Sequence, residues 1–269
     1  MKDKGLGSNG ITALVFHTLF TLFILSPLVV IILVSFSGKG YISMPFEGVS
    51  LRWYRAILDA PELLNAFWLS IWLGLGSATV ASMVAVPAAI AIARYRFAGR
   101  DALTALLLSP LMVPHVVLGV AFLRFFSVMG WTGSFFGMLL VHALIVVPFA
   151  LRLTLGAIIG MDRDAELAAR SLGATRWTAF RRVLLPLILP GVAGGWVLSF
   201  IQSFDEVTMT VFIATPGTTT LPVALYHRVS MLTDPVTTSV SAIMIVGTMG
   251  LMIILDRIVG IDKVLIGKK

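Results

Sequence analysis

The chain has no cysteine, so disulfides and thiolate metal sites play no part in it. Charge is also scarce: 12% of the 269 residues are Asp, Glu, Lys or Arg, where a soluble protein carries about 25%. Catalytic signatures are missing as well. There is no P-loop of the Gly-x-x-x-x-Gly-Lys-Ser/Thr type, which excludes ATP hydrolysis by that route. There is no His-Glu-x-x-His zinc motif and no Gly-x-Ser-x-Gly elbow. The four histidines, His17, His115, His142 and His227, lie far apart and read as packed or interfacial residues rather than metal ligands. The expectation is therefore a non-enzyme with no catalytic set, no metal and no cofactor of its own. No internal repeat, low-complexity tract or flexible linker interrupts the chain, and the missing repeat weighs against a secondary carrier, since those folds often show paired halves.

What the chain has in abundance is apolar sequence. It is 58% hydrophobic, with a mean hydropathy of +0.99. This is the composition of an all-α integral membrane protein, of a length that suits one bundle without a separate soluble domain. The apolar runs predict six spans, at 11–37, 63–93, 102–123, 134–158, 186–206 and 235–255, with a charged loop at 162–185. Lys2 and Lys4, Arg94 to Arg100, Arg163 to Arg182 and Lys263 to Lys269 then fall on one side, which places both ends inside the cell. Arg52 and Arg55 are the main exceptions. A net charge of +7 would hint at nucleic acid in a soluble protein; beside apolar spans it reads as topology and attraction to anionic lipid, with no nucleic-acid partner.

Several places along the spans stand out. Pro27 predicts a kink in the first. Leu51 to Leu58 is a short amphipathic segment whose Trp53, Tyr54, Arg52 and Arg55 suit the headgroup region, and two readings stand: an interfacial helix or a docking surface for an external partner. Gly74, Gly76, Ser77, Ala78, Ala81, Ser82 and Ala85 in the second span, and Gly191, Gly194 and Gly195 in the fifth, allow close helix contact. Pro110 and Pro114 break the third span, either because it lines a path or because it only bends. His115, just after that break, is the best path candidate of the four histidines. The fifth span ends in Ser203, Phe204, Asp205 and Glu206. Adjacent acids after an apolar run are costly unless they face water, a partner or a cargo, and on a helix they point about 100° apart, so that one of the two faces a cavity. A cationic cargo would be drawn to them; alternatively they mark the membrane surface or cap the break into the loop.

The loop at 162–185 is the longest segment mixing charge with apolar residues. Asp162 and Asp164 are helix-capping types, and Glu166 places negative charge in the first turn. Leu167, Ala168 and Ala169 favour helix, Arg170 suits its end, and Gly173 supplies the stop. A second basic helix is expected from Arg176 towards Val183, ending before Pro186. Ala168 and Ala169, three residues, Gly173, nine residues, then Val183-Leu184-Leu185-Pro186 resembles the cytoplasmic "EAA" loop of permease subunits in bacterial ABC importers. The spacing matches throughout, but Leu167 stands where that pattern has glutamate, with Glu166 one place earlier. Ser203-Phe204-Asp205-Glu206-Val207, Phe212-Ile213, the Pro216-Gly217 turn, Leu221-Pro222 and Leu225-Tyr226, with Leu51 to Tyr54 ahead of the second span, are similar to the second permease subunit of spermidine/putrescine-type importers.

The resemblance implies a type I importer fold in a bacterial inner membrane. It implies two ATPase subunits that bind the ATP, a second and non-identical permease subunit, and a periplasmic solute-binding protein. It implies that Asp164, Glu166, Leu167, Ala168, Ala169, Leu172, Gly173 and Ala174 form the surface coupled to the ATPase. Asp205, Glu206, His115 and Phe204 are then the candidate substrate path. The cargo it implies is a polyamine or related amine; an aminophosphonate, opine, amino-acid derivative, thiamine or iron remains an alternative within the wider family, and a secondary carrier outside it.

Overall fold

The computed structural model describes residues 8–39, 48–231 and 235–259. Lys2, Lys4, Lys263, Lys268 and Lys269, and part of the loop after the first span, lie outside the described residues. Among the described residues the regular structure is helical, joined by short loops, with one isolated antiparallel bridge between Ser37 and Val49. Long apolar runs dictate this: in hydrocarbon the backbone has no water to bond, so each N–H must find a carbonyl within its own segment.

The helices are α1 (Ser8–Val34), α2 (Arg52–Leu58), α3 (Pro61–Arg94), α4 (Arg100–Leu108), α5 (His115–Met129), α6 (Phe135–Ile159), α7 (Asp164–Ser171), α8 (Arg176–Ala179), α9 (Leu185–Phe204), α10 (Thr210–Ile213), α11 (Leu221–Met231) and α12 (Pro235–Val259). Five segments are long and apolar enough to cross a membrane, and a bent pair brings the number to as many as six among the described residues. That bent pair corrects the single third span expected at 102–123. Residues 100–111 and 115–129 are separate helices that meet at 96°. A 3₁₀ turn at Ser109–Leu111 contains Pro110, and Pro114 sits at the N-cap of α5 with ψ 131°. Pro114 has no N–H to continue the ladder and pushes the residue before it out of the helical region, so the chain turns there.

The chain divides into two compact units, Met1–Pro61 with His227–Met249, and Glu62–Tyr226 with Gly250–Lys269. In the first, α2 is fastened to the end of α1. The Tyr54 hydroxyl lies 2.6 Å from Ser35 Oγ, and the Trp53 indole N–H donates to Ser37 O at 2.9 Å. Arg52 stacks over the Trp53 ring, 4.2 Å from its centre. From the final helix, Ser239 donates to Ser35 O at 3.2 Å.

In the second unit α6 and α9 form the most extensive helix pair. Small buried residues make the approach possible: Ala150 on α6, Gly191, Gly194 and Gly195 on α9. Lipid is as apolar as leucine, so such contact is held by dispersion between close backbones rather than by hydrophobic burial. On α3 the small-residue stripe Ala78, Ala81, Ala85 and Ala89 is fully buried. Between α8 and α9 the backbone widens into a π turn at Phe180–Leu184. Pro186 follows directly; its ring would crowd the carbonyl four residues back, and the wider turn relieves that crowding.

Candidate functional site: a buried polar turn and an exposed loop helix

The acids at the end of the fifth span do not sit on a helix together. α9 stops at Phe204, Asp205 is its C-cap, and Glu206 lies in the turn that leads to α10. The expected span of 186–206 therefore overshoots the helix. The two carboxylates do part company, but through the turn: Asp205 is exposed while Glu206 is 8% exposed. Glu206 is saturated by its own chain. Its Oε2 lies 2.7 Å from His115 Nδ1, and its Oε1 accepts from the Met209 backbone N–H at 2.7 Å. The second bond satisfies a donor that α10, a helix of four residues, cannot satisfy internally.

The proline break after α4 is what brings His115 to Glu206. His115 is the first residue of α5. One turn on, Gly119 faces α10 so closely that a Cβ there would stand 3.0 Å from Met209 O. A side chain at 119 would hold α5 off α10 and the His115 contact with it.

Behind the turn lies a polar cluster that sequence reasoning did not assemble. His142, from α6, is 0% exposed. Its Nδ1 is 2.9 Å from Ser203 Oγ and its Nε2 is 3.0 Å from Thr210 Oγ1. Ser203 Oγ is in turn 2.8 Å from Ser77 Oγ of α3, and Ser77 donates to Leu73 O. An ionisable side chain within an apolar span was the available signal. Phe204 is half-buried and ends a ladder on one face of α9: Trp196 stacks on Phe200 at 6.1 Å and Phe200 on Phe204 at 5.8 Å, while Phe67 of α3 meets Phe204 edge-on at 6.5 Å. The structure thus brings together His115 and Glu206, with Asp205 and Phe204 beside them in the chain.

The loop helix α7 starts and stops close to where the residues suggest, but Arg163, not Asp162 or Asp164, is its N-cap and carries no side-chain capping bond. Asp162 Oδ1 accepts from the Asp164 N–H at 2.9 Å. At the other end Gly173 takes φ +90°. Gly173 N bonds to Arg170 O at 3.0 Å and Ala174 N to Ala169 O at 3.1 Å. This is the paired closure that a left-handed residue after the helix permits. Glu166 Oε2 forms an ion pair with Arg94 at 2.6 Å, with side chains 22% and 13% exposed respectively. Arg163 Nη2 also donates to Ala93 O at 3.0 Å. Both contacts tie α7 to the last residues of α3. Arg94 could not be foreseen as the partner, because 72 positions separate it from Glu166 in a sequence with no pairing signal. Ala168 and Asp164 are exposed and Ala169 and Ala174 are half-buried. Leu167 is 56% exposed and Leu172 89% exposed, so the apolar side chains face away from the chain's own packing.

Polytopic helical architecture, a polar break at the end of one span and a charged loop helix between two others define a membrane transport subunit. The chain belongs to the family described as "Binding-protein-dependent transport system inner membrane component", whose model matches residues 81–261. It is 29% identical over 248 residues to the spermidine/putrescine transport system permease protein PotC of Escherichia coli, covering 92% of this chain and 93% of that one. It is 30% identical over 237 residues to the putrescine transport system permease protein PotI of the same organism, covering 85% and 83%. A molybdenum transport system permease protein, ModB of Mycobacterium bovis, is 32% identical over 218 residues, covering 74% and 82%. Among solved structures, a chain of a bacterial ABC transporter involved in the import of the acidic polysaccharide alginate superposes with a TM-score of 0.71 at 18% identity, covering 96% and 98%. The chain is thus a multi-pass membrane protein of the ABC importer permease family.

Proposed function

We propose that this chain forms half of the translocation path of an ATP-driven importer for polyamine-like cations. In this reading both ends and α7 lie on the cytoplasmic side of a bacterial inner membrane. A second, non-identical permease subunit completes the path. Two ATPase subunits bind and hydrolyse the ATP, and a periplasmic binding protein delivers the cargo. The relatives named for spermidine and putrescine, which align over most of both chains, support this reading.

The observation that carries the cargo class is the exposed Asp205 carboxylate beside Phe204. An exposed carboxylate at the end of an apolar span attracts an ammonium group, while Phe204, its neighbour in the chain, is packed against Phe200 and Phe67. Glu206 bonds His115 and the Met209 N–H and so fixes the turn that follows Asp205. On the other side, Leu167, Ala168 and Leu172 offer a low-relief apolar face to a groove of the ATPase. Glu166 is directed to Arg94 of its own chain, so this docking relies on apolar contact at the position where the family pattern carries a carboxylate. ATP-driven closure of the ATPase pair would then move the bundle as a rigid body through α7.

The test is uptake of radiolabelled spermidine and putrescine by proteoliposomes holding the complete complex. Uptake that requires both ATP and the binding protein, and whose KM rises about tenfold in Asp205→Asn (the loss of one charge-assisted contact), is expected. Uptake without the ATPase, or a normal KM in Asp205→Asn, overturns the reading. The relative named for molybdenum favours a second reading, an anionic cargo; the acids at the turn oppose it, and transport of a molybdenum oxyanion but not of polyamines would select it.

A further inference from the structure

The buried cluster behind the turn has a direction that follows from counting protons. Ser77 and Ser203 each own one O–H. Ser77 donates its proton to Leu73 O, with Gly74 O a longer second acceptor at 3.3 Å. In the 2.8 Å Ser77–Ser203 contact, then, Ser203 must be the donor. Having given its proton, Ser203 can only accept from His142, so the proton of that 2.9 Å contact sits on Nδ1. In the neutral ring Nε2 is an acceptor, and the Thr210 hydroxyl donates to it at 3.0 Å. The chain runs one way, from Thr210 through His142, Ser203 and Ser77 to a carbonyl of α3, and uses each donor once.

Its ends bracket the functional turn. Ser203 is in the last turn of α9 and Thr210 opens α10, so one imidazole ring holds both flanks of the six residues that include Asp205 and Glu206. α10 has four residues, too few to hold its own conformation. All four side chains of the chain are at most 2% exposed, so water does not replace a lost bond.

We infer that His142 is a positioning residue: as the Nδ1–H tautomer it clamps Ser203 and Thr210 and thereby sets where the Asp205–Glu206 turn stands. This rests on the reading of that turn as part of the cargo path. The residue touches no cargo; it acts through the backbone it holds.

The experiment uses the assembled complex in lipid, with ¹⁵N-labelled histidine and with His142→Asn to assign the His142 signals. The expected spectrum shows protonated Nδ1 and unprotonated Nε2. Ser203→Ala, which removes the acceptor, is expected to erase that preference. In transport, His142→Ala is expected to raise the KM for spermidine about tenfold, the scale of losing a buried hydrogen-bond pair, per unit of assembled complex and with basal ATPase activity unchanged. His142→Asn, whose amide can donate to Ser203 from near the position of Nδ1, is expected to recover most of the loss, and His142→Leu none of it. Protonated Nε2 overturns the proposal. So does an unchanged KM in His142→Ala, or a loss of assembled complex with no change in KM, which is what a purely structural residue would give. The nitrogen spectra read the ring whatever the cargo is, and Asp205→Asn reads the turn whatever the ring does. A failed spectrum with a raised KM in Asp205→Asn therefore sinks the His142 assignment alone, and the reverse pattern sinks the cargo reading.

Discussion

Glu166 and Glu206 lie on either side of α9 in the chain and are used in different ways. Glu206 is buried and spends both carboxylate oxygens inside its own unit, one on His115 and one on the Met209 N–H. Glu166 is partly exposed and makes one ion pair, with Arg94. The carboxylate of Glu206 is engaged on both oxygens, by half-buried His115 and by the buried Met209 N–H; after Glu166 in the chain, Leu167 and Leu172 are turned outward. Under the proposed function, one residue type would serve two mechanical needs. A turn in the path must keep one shape, and a saturated carboxylate gives it that. A lever must present an unpartnered face while staying attached to its bundle, and a single ion pair at its base is enough for attachment.

Breaking the buried side should cost most. Glu206→Ala strands the buried Met209 N–H and removes the partner of half-buried His115, and leaving a buried polar group unpaired costs about 1–3 kcal/mol. The expected result is loss of uptake and a lower melting temperature of the purified complex; Glu206→Gln, which keeps an acceptor for Met209, should be milder in melting and still impaired in uptake. Next comes the exposed side. Leu172→Asp places a charge where a leucine would be buried against the ATPase, and since burying a leucine stabilises by about 1.5–3 kcal/mol, the dissociation constant for the ATPase should rise at least tenfold by titration. The melting temperature of the isolated permease should hardly change, because Leu172 is solvent-facing there.

Smaller effects on transport sharpen the contrast. Arg94→Ala removes the ion pair at the base of α7. The pair is largely enclosed, and removing Arg94 leaves the buried Glu166 Oε2 without its partner, so the stability loss should be about 1–3 kcal/mol, accompanied by a few-fold drop in cargo moved per ATP. Arg94→Lys should lie between. Smallest in its effect on transport, Tyr54→Phe removes the bond to Ser35 outside both regions. It should lower stability by about 0.5–1.5 kcal/mol and leave the uptake KM unaltered.

Much of this was legible in the residues, for identifiable reasons. Long charge-free runs announce spans because the bilayer imposes a single solution on the backbone. The limits of α7 could be read closely because turn bonds and left-handed closure are local: Asp162, Gly173 and Ala174 act within one or two turns. Pro110 and Pro114 announced a break, but not its 96° angle, which depends on what the two helices pack against. The polar turn was half visible. Asp205, Glu206 and His115 stood out as charge in apolar surroundings. That Glu206 turns inward and Asp205 outward depends on where α9 stops, and the union of His142 with Ser203, Thr210 and Ser77 spans 133 positions of sequence. Such long-range pairings of common residue types leave no local trace.

Under the proposed function, α7 is the surface on which a separate ATPase acts. The chain lacks cysteine, so a single Leu172→Cys substitution can be labelled without background. The most direct measurement is cross-linking of that position in membranes containing the complete complex. The expected result is a product with the ATPase subunit, and labelling by an impermeant reagent only from the cytoplasmic side. Labelling from the outside, or no ATPase product in a complex that still transports, would contradict it.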